Sequence, residues 1–408
     1  MYSKPLIKRA LAVLTTSILS IISPVIAGEK LKIFVLAGQS NTVGHANQHT
    51  LATLYRPGDE RDKKLAQLVF KADNGLSPEA LEEQLERARR IDELTGGISN
   101  DKIKAMSDGP EKTAVEAELK KLNEAYDAYT SKVISSCVVS DRVYISSVAD
   151  GNKRSGPLTV GFGGNPTKIG PEFSFGLSMA QKLDGPILLI KTSWGGKSIN
   201  YDFRPPSAGA YVLNDKQKEA KNAADIRKNA GLNWRMMNEA IGAVLKDLKK
   251  YHPDYDASAG HEMAGFVWFQ GFNDQFSDEF KDNYRDMMVH FIKDVRKEYN
   301  APGMPFVIGV LGTNMTKEDV DKNAVSVAQR EAAKAPEFKD NVTSVESYQV
   351  YDLGARAVYD KGWAKNFAVW RAIGSDRPYH YLGSGTFFAR LGDSFATAMN
   401  DLIGKQKK

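Results

Sequence analysis

Six short runs, Leu31–Ala37, Val143–Val148, Ile187–Lys191, Phe266–Gln270, Phe306–Leu311 and Val342–Val345, are dense in Val, Ile, Leu and Phe and nearly free of charge. Runs of this length that are apolar at successive positions fit strands buried on both faces. Between most of them lie stretches of helical periodicity, Pro171–Leu183, Trp234–Tyr251, Phe280–Tyr299 and Val320–Ala335, with Ser384–Met399 after the last run. Strands alternating with helices require crossover connections, which place helices on both faces of a mostly parallel sheet. The pattern predicts an open α/β fold, and in such folds ligands bind at the carboxyl ends of the strands.

Residues 77–132 depart from this rhythm. They are dominated by Glu, Lys, Arg, Ala and Leu, as in Leu81-Glu82-Glu83-Gln84-Leu85-Glu86-Arg87-Ala88-Arg89-Arg90. This segment reads as a charged helical insertion, a hairpin by its length. It is either a solvated helix pair with ion pairs worth a few tenths of a kcal/mol each or a lid or partner surface. With no internal repeat and no long linker, it decorates a single domain over residues 28–402, followed by a basic tail at 403–408.

The first 27 residues have the layout of a secretory signal: Lys4, Lys8 and Arg9, an uncharged run from Ala10 to Ile22, then Val25 and Ala27 before a cut. The apolar run is shorter than the roughly 20 residues of a membrane span. Cleavage after Ala27 leaves Gly28 at the mature N-terminus of a secreted or periplasmic protein that no longer engages the membrane. It also removes three basic and no acidic side chains, lowering the formal net charge from +5 to +2. A charge that small gives no electrostatic footprint for nucleic acid. Cys137 is the only cysteine, so neither an intrachain disulfide nor a thiolate metal cluster can form.

The first run leads into Gly38-Gln39-Ser40-Asn41, placing a serine at a strand's carboxyl end and at the start of a helix. Backbone N–H groups and the helix dipole favour developing negative charge there, and a serine becomes nucleophilic when a neighbouring base takes its proton. On local sequence alone the commoner role for such a serine is a helix cap. Thr42 stands where an α/β-hydrolase elbow requires Gly, which argues against that fold.

The third run enters Trp194-Gly195-Gly196-Lys197-Ser198, where Gly196 can lend its N–H to an oxyanion. A phosphate loop is the rival reading, but Lys191 occupies its required glycine position. The fourth run enters Gln270-Gly271-Phe272-Asn273-Asp274, where Asn273 is either an amide donor or a turn former. Gly161-Phe162-Gly163-Gly164 lacks a strand before it and reads as a turn.

Near the C-terminus, His380 lies in the polar aromatic loop Ser375–Ser384, suited to a general base or to the surface. His290 falls in a helical pattern and His252 at a helix end. His45 and His49 stand four apart, but Ala46 occupies the Glu position of the H-E-x-x-H zinc motif and no other histidine pairs at such a spacing, which argues against a hydrolytic metal.

These blocks, Gly38-Gln39-Ser40-Asn41, Gly196, Gly271-Phe272-Asn273-Asp274 and His380, resemble in order the Ser, Gly, Asn and His blocks of the SGNH hydrolase superfamily. Within it, the chain is similar to the sialate O-acetylesterase and acetylxylan esterase group in Gly170-Pro171-Glu172, in Trp194-Gly195-Gly196-Lys197-Ser198 and in Trp268-Phe269-Gln270-Gly271. The resemblance spans roughly residues 30 to 402, interrupted by the insertion. It implies a flavodoxin-like three-layer α/β/α sandwich with a central parallel sheet. It also implies cofactor-free removal of O-acetyl groups from an acetylated glycan through an acetyl-serine intermediate. Ser40 is then the nucleophile, His380 the base, and the N–H groups of Ser40 and Gly196 with the Asn273 side chain hold the oxyanion.

Members usually carry Asp three residues before the base; here that residue is Arg377, with Asp376 four before. Asp376 is the candidate third member, a backbone carbonyl or another acid the alternative. On that footing Asp376→Asn is expected to lower turnover much less than His380→Ala. Gln39, Gln270, Lys197, Tyr201, Asp202 and Arg204 are candidate substrate-binding residues. Those after Gly196, Phe203 among them, either meet a sugar or its carboxylate or form a salt-bridged loop. The rival functions are a non-catalytic carbohydrate-binding protein on the same fold and a lipase or thioesterase of the superfamily.

Overall fold

A computed structural model describes residues 28–313 and 315–406, so the leader expected at 1–27 lies outside the described residues. One sheet contains β1 (Leu31–Gly38), β2 (Val143–Ala149), β3 (Asn152–Pro157), β4 (Ile187–Ser193), β5 (His261–Phe269), β6 (Phe306–Val310) and β7 (Val342–Glu346). Their spatial order is β3-β2-β4-β1-β5-β6-β7. Every neighbouring pair is parallel except β2 and β3. The chain fills one side of β1 with β2, β3 and β4 and then the other with β5, β6 and β7, which leaves a crevice at its carboxyl end.

The helices that matter to the argument are α1 (Ser40–Val43), α2 (Glu60–Val69), α3 (Pro78–Thr95), α4 (Pro110–Ser136), α5 (Glu172–Lys182), α6 (Leu232–Leu245), α7 (Asp278–Glu298), α8 (Ala324–Ala333), α9 (Phe367–Ile373) and α10 (Gly385–Gln406). Strand alternation divides β1 between two cores. Phe34 and Leu36 pack with apolar side chains of α2, α5 and α10, such as Leu65, Phe173 and Phe388. Leu31, Ile33, Val35 and Ala37 pack with those of α6, α7 and α8, such as Met237, Phe291 and Val325. Each fully buried Leu or Phe contributes about 1.5–3 kcal/mol, so both faces of the sheet are covered and the sandwich has three layers.

The departures from expectation have local causes. β3 is Asn152-Lys153-Arg154-Ser155-Gly156-Pro157, an edge strand paired only with β2, and its polar sequence hides it from a search for apolar runs. The expected helix 320–335 breaks at Asn323, whose side chain accepts from Ser326 N–H and starts α8 afresh. The last helix runs to Gln406, through most of the segment read as a tail.

Ser77 caps α3 with Pro78 in its first turn, and Gly96 ends it in the left-handed region at φ 77°. The helix buries Leu81, Gln84, Ala88 and Ile91 and turns its charges outward. Asp92 accepts the N–H groups of Ala368 (2.8 Å) and Val369 (3.0 Å), fixing the N-terminus of α9, which leads directly into the loop carrying His380.

Candidate active site

β1 ends at Gly38, where a Cβ would overlap the Phe269 carbonyl, so glycine lets β1 and β5 close up at this end. Ser40 opens α1, where an N–H has no intrahelical acceptor. Neither the Ser40 nor the Gly196 N–H makes a hydrogen bond among the described residues. Gly196 holds φ 69°, a conformation that favours glycine. Its turn is fixed by Trp194 N–H on Gly38 O (3.2 Å) and by Gly195 N–H on Asp150 Oδ1 (2.6 Å). Asn273 Oδ1 accepts from Gln39 Nε2 at 3.1 Å, which orients the amide and leaves its Nδ2 side uncommitted. Three free donors thus stand on the β1, β4 and β5 loops, the complement of a developing oxyanion.

The His380 loop is closed by its own backbone. Ser375 and Asp376 N–H groups donate to Leu382 O (2.8 and 3.1 Å), and His380 and Leu382 N–H groups donate to Arg377 O (2.9 and 3.0 Å). The chain achieves this by holding Tyr381 (φ 49°) and Leu382 (φ 64°) in the left-handed region, at a cost of about 1–3 kcal/mol each. Packing offsets it. Both side chains are buried, the Tyr381 ring stacks on Phe387 at 3.9 Å, and its hydroxyl meets Ser347 Oγ (2.8 Å) and Gly312 N–H (3.0 Å).

The loop brings His380 Nδ1 to 3.2 Å from Asp376 Oδ1, a close approach off the line of an ideal hydrogen bond. Burial opposes ionisation of Asp376, but the neighbouring imidazole and the Arg377 N–H outweigh it and hold the carboxyl below its ordinary value. Asn41 Nδ2 donates to Tyr379 O at 3.1 Å, tying α1 to this loop. No direct hydrogen bond joins Ser40 Oγ to the His380 ring; catalytic contacts often tighten only when substrate binds.

Four supporting features were given no role from the sequence. His45 stacks flat on His380, with centroids 4.0 Å apart and planes 4° from parallel. One atom each from His45, Asp376 and His380 lie within 4.8 Å of one another, close enough to suggest a cation site. The lone pairs of stacked rings lie in separate parallel planes and do not converge, so this is not a coordination geometry. Asp150 fixes the Gly195 turn. Asp274, fully buried, accepts from Ile199 and Asn200 N–H, Asn200 Nδ2 and Gln270 Nε2, joining the β4 and β5 loops; burial pushes its carboxyl up to about 6 against those bonds. Lys191, also fully buried, donates to Glu172 Oε2 (2.7 Å), Val43 O (2.8 Å) and Phe162 O (2.9 Å).

The residues expected to contact substrate are held as follows. Gln39 and Gln270 are buried; Gln39 Oε1 accepts from Gln270 Nε2 and Gly271 N–H, while Gln270 Oε1 accepts from Tyr284. Their side chains are engaged with each other, with Asn273 and with Tyr284. Arg204 donates to the carbonyls of Asn200, Ala208 and Gly209, and Asp202 accepts from Ser198 and Lys197, so these charges brace their own loop. Phe203 is core. Tyr201 donates its hydroxyl to Ile226 O yet lines a hollow of about 390 Å³ with Gly196, Asn273 and Tyr211. A second hollow of about 480 Å³ is lined by Phe272, Thr313, Tyr359, Arg377, Pro378 and Tyr379, two of which flank His380 and Asn273 in sequence. There the exposed Arg377 guanidinium lies 4.2 Å from the Trp363 ring and makes no hydrogen bond or ion pair among the described residues. Another cavity, beside Lys32, Glu262 and Pro302, lies at the opposite end of the strands, away from these groups.

The family model described as "carbohydrate esterase, sialic acid-specific acetylesterase" matches residues 124–354, a span that includes Gly196 and Asn273 but neither Ser40 nor His380. No curated protein matches the chain significantly. Among solved structures, it is similar to a protein from Arabidopsis thaliana at 15% identity, covering 91% of this chain and 98% of that one with a TM-score of 0.42. It is similar to a novel carbohydrate acetylesterase from Xanthomonas citri at 13% identity, covering 79% and 51% with a TM-score of 0.38. It is also similar to NanS, at 8% identity, with 79% of each chain covered and a TM-score of 0.36.

Proposed function

The chain belongs to the sialic acid-specific acetylesterase family of carbohydrate esterases, and from that premise we propose that it is an exported serine esterase that removes O-acetyl groups from a glycan. The observation that carries the reading is the set of three free donors, Ser40 N–H, Gly196 N–H and Asn273 Nδ2, at the rim that also bears the His380–Asp376 pair. Ser40 Oγ attacks the acetyl carbonyl while His380 takes its proton and the three donors hold the oxyanion. His380 then protonates the departing sugar oxygen, and water releases acetate from the acetyl-serine by the reverse sequence.

The two hollows lined by residues of these loops give a sugar chain room beside the site, and the uncommitted Arg377 favours a carboxylate-bearing sugar in one of them. Among the described residues no helix is long and apolar enough to cross a membrane. Export follows from the segment before Gly28, and N-terminal sequencing of the secreted or periplasmic protein should read from Gly28.

Acetate release from a panel of acetylated glycans, together with fluorophosphonate labelling, tests the chemistry. Wild type should release acetate and take the label on Ser40, and Ser40→Ala should do neither. A folded wild type that binds glycans with no turnover and no adduct would make it a binding protein. A preference for long acyl chains would make it a lipase.

A further inference from the structure

His45 has no part in the mechanism above, yet its ring covers one face of the His380 ring. The stack is nearly parallel at 4.0 Å, and both rings look onto the same carboxylate, His380 Nδ1 at 3.2 Å from Asp376 Oδ1 and His45 Nδ1 at 3.6 Å from Oδ2. The backbone beneath His45 is held firmly. Its carbonyl accepts from Lys168 Nζ (2.8 Å) and from Ser375 Oγ (3.1 Å), and Ser375 Oγ in turn accepts the Asn47 N–H (2.9 Å). The segment that follows α1 is thereby stitched to the His380 loop, and the plate cannot drift away from the base it covers. His45 Nε2 is buried with no partner, an expense for a side chain that serves only as filler.

We infer that His45 is a positioning residue for the general base: a neutral aromatic plate that fixes the plane of the His380 ring and keeps water off one face of it. The inference rests on the proposal that His380 is that base. The groups that face His45 are Asp376 and His380 from the loop, Lys168 beneath its backbone, and Asp150 beyond the end of β2. Burial first, and the neighbouring His380 second, bring the His45 imidazole down to about 4, so the plate stays uncharged when His380 takes the serine proton. A second cation there would oppose that transfer, whereas a neutral π face tolerates it. Asp376 meets His380 at its Nδ1 edge and His45 meets it face-on, so rotation of the ring out of its plane would break the stack and the approach to the carboxylate together.

The test compares His45→Ala with His45→Phe, which keeps a plate of similar size but no ring nitrogen, using an aryl acetate as substrate. His45→Ala should lower kcat about tenfold or more with KM changed less than twofold. The acid limb of its kcat/KM profile should move to higher pH, because water now solvates the protonated base. His45→Phe should recover most of kcat and leave that limb in place. The part of the ring-current displacement of the His380 ring protons that His45 contributes should be lost in His45→Ala and persist in His45→Phe, with the contribution of the Tyr379 ring, 4.6 Å away, left in both, whatever the activity.

A His45→Ala enzyme with kcat within twofold of wild type would overturn the inference. So would equal losses in both variants with an unmoved acid limb, which is the mark of a merely structural residue. A wild type that hydrolyses no acetate would instead sink the esterase reading and the positioning role with it, while turnover that survives His45→Ala would sink only the latter.

Discussion

Replacing Lys191 by Met removes an ammonium whose three N–H groups are all committed, to Glu172 Oε2 and to the carbonyls of Val43 and Phe162. Lys191 and Glu172 are both fully buried, so solvent cannot replace what is lost. Breaking a buried pair by removing one partner costs about 3–5 kcal/mol. Glu172 keeps only the Gly170 N–H at 2.9 Å, and the two carbonyls lose their partner. A destabilisation of about 4 kcal/mol is expected. At about 2.1 cal/mol/K per residue, the unfolding entropy of a chain this long is about 0.8 kcal/mol/K, so Tm should fall by about 5 °C.

Val43 is the last residue of α1 and Ser40 its first, so loosening that carbonyl should also reduce turnover. Urea unfolding and calorimetry of Lys191→Met, Glu172→Gln and the double variant measure the effect. The double variant should be less destabilised than Lys191→Met, because it no longer buries a lone charge. A Lys191→Met protein within 1 kcal/mol of wild type, or a double variant as unstable as the sum of the singles, would refute the reasoning.

With Asp376 3.2 Å from His380, Asp376→Asn should cost about 10⁴ in kcat, still less than His380→Ala, and a loss below tenfold would return the role to another group. Arg377→Ala should weaken kcat/KM about tenfold for an acetylated sugar bearing a carboxylate while leaving an aryl acetate unaffected; equal losses on both substrates would rule out carboxylate recognition. For stability against pH, His45 titrates at about 4 folded against an ordinary 6.5. The unfolded chain therefore binds more protons between those values, and stability rises with pH across that window and levels off above it. At 1.36 kcal/mol per unit, the advantage of wild type over His45→Phe should shrink by about 3 kcal/mol from pH 7 to pH 4 in urea unfolding, and parallel pH curves for the two proteins would contradict this.

What the amino-acid sequence determined by itself was local: where the apolar strands lie, that helices alternate with them, and that Ser40, Gly196 and Asn273 follow strands while His380 sits in a late loop. Those signals survive without a structure because burial on both faces and turn chemistry are written in consecutive residues. The edge strand β3 shows the limit, since backbone pairing alone makes it a strand.

The tertiary structure decided everything that depends on residues far apart in the chain meeting in space. It gave the Gln39 and Gln270 amides distant partners, and it committed Arg204 to its own loop while leaving Arg377 free. It set an acid four residues before His380 within reach by bending the chain through two left-handed residues, and it laid His45 on His380 across 335 positions of sequence. No pattern in neighbouring residues encodes such meetings, because they follow from sheet order and loop closure, which only the packed chain fixes.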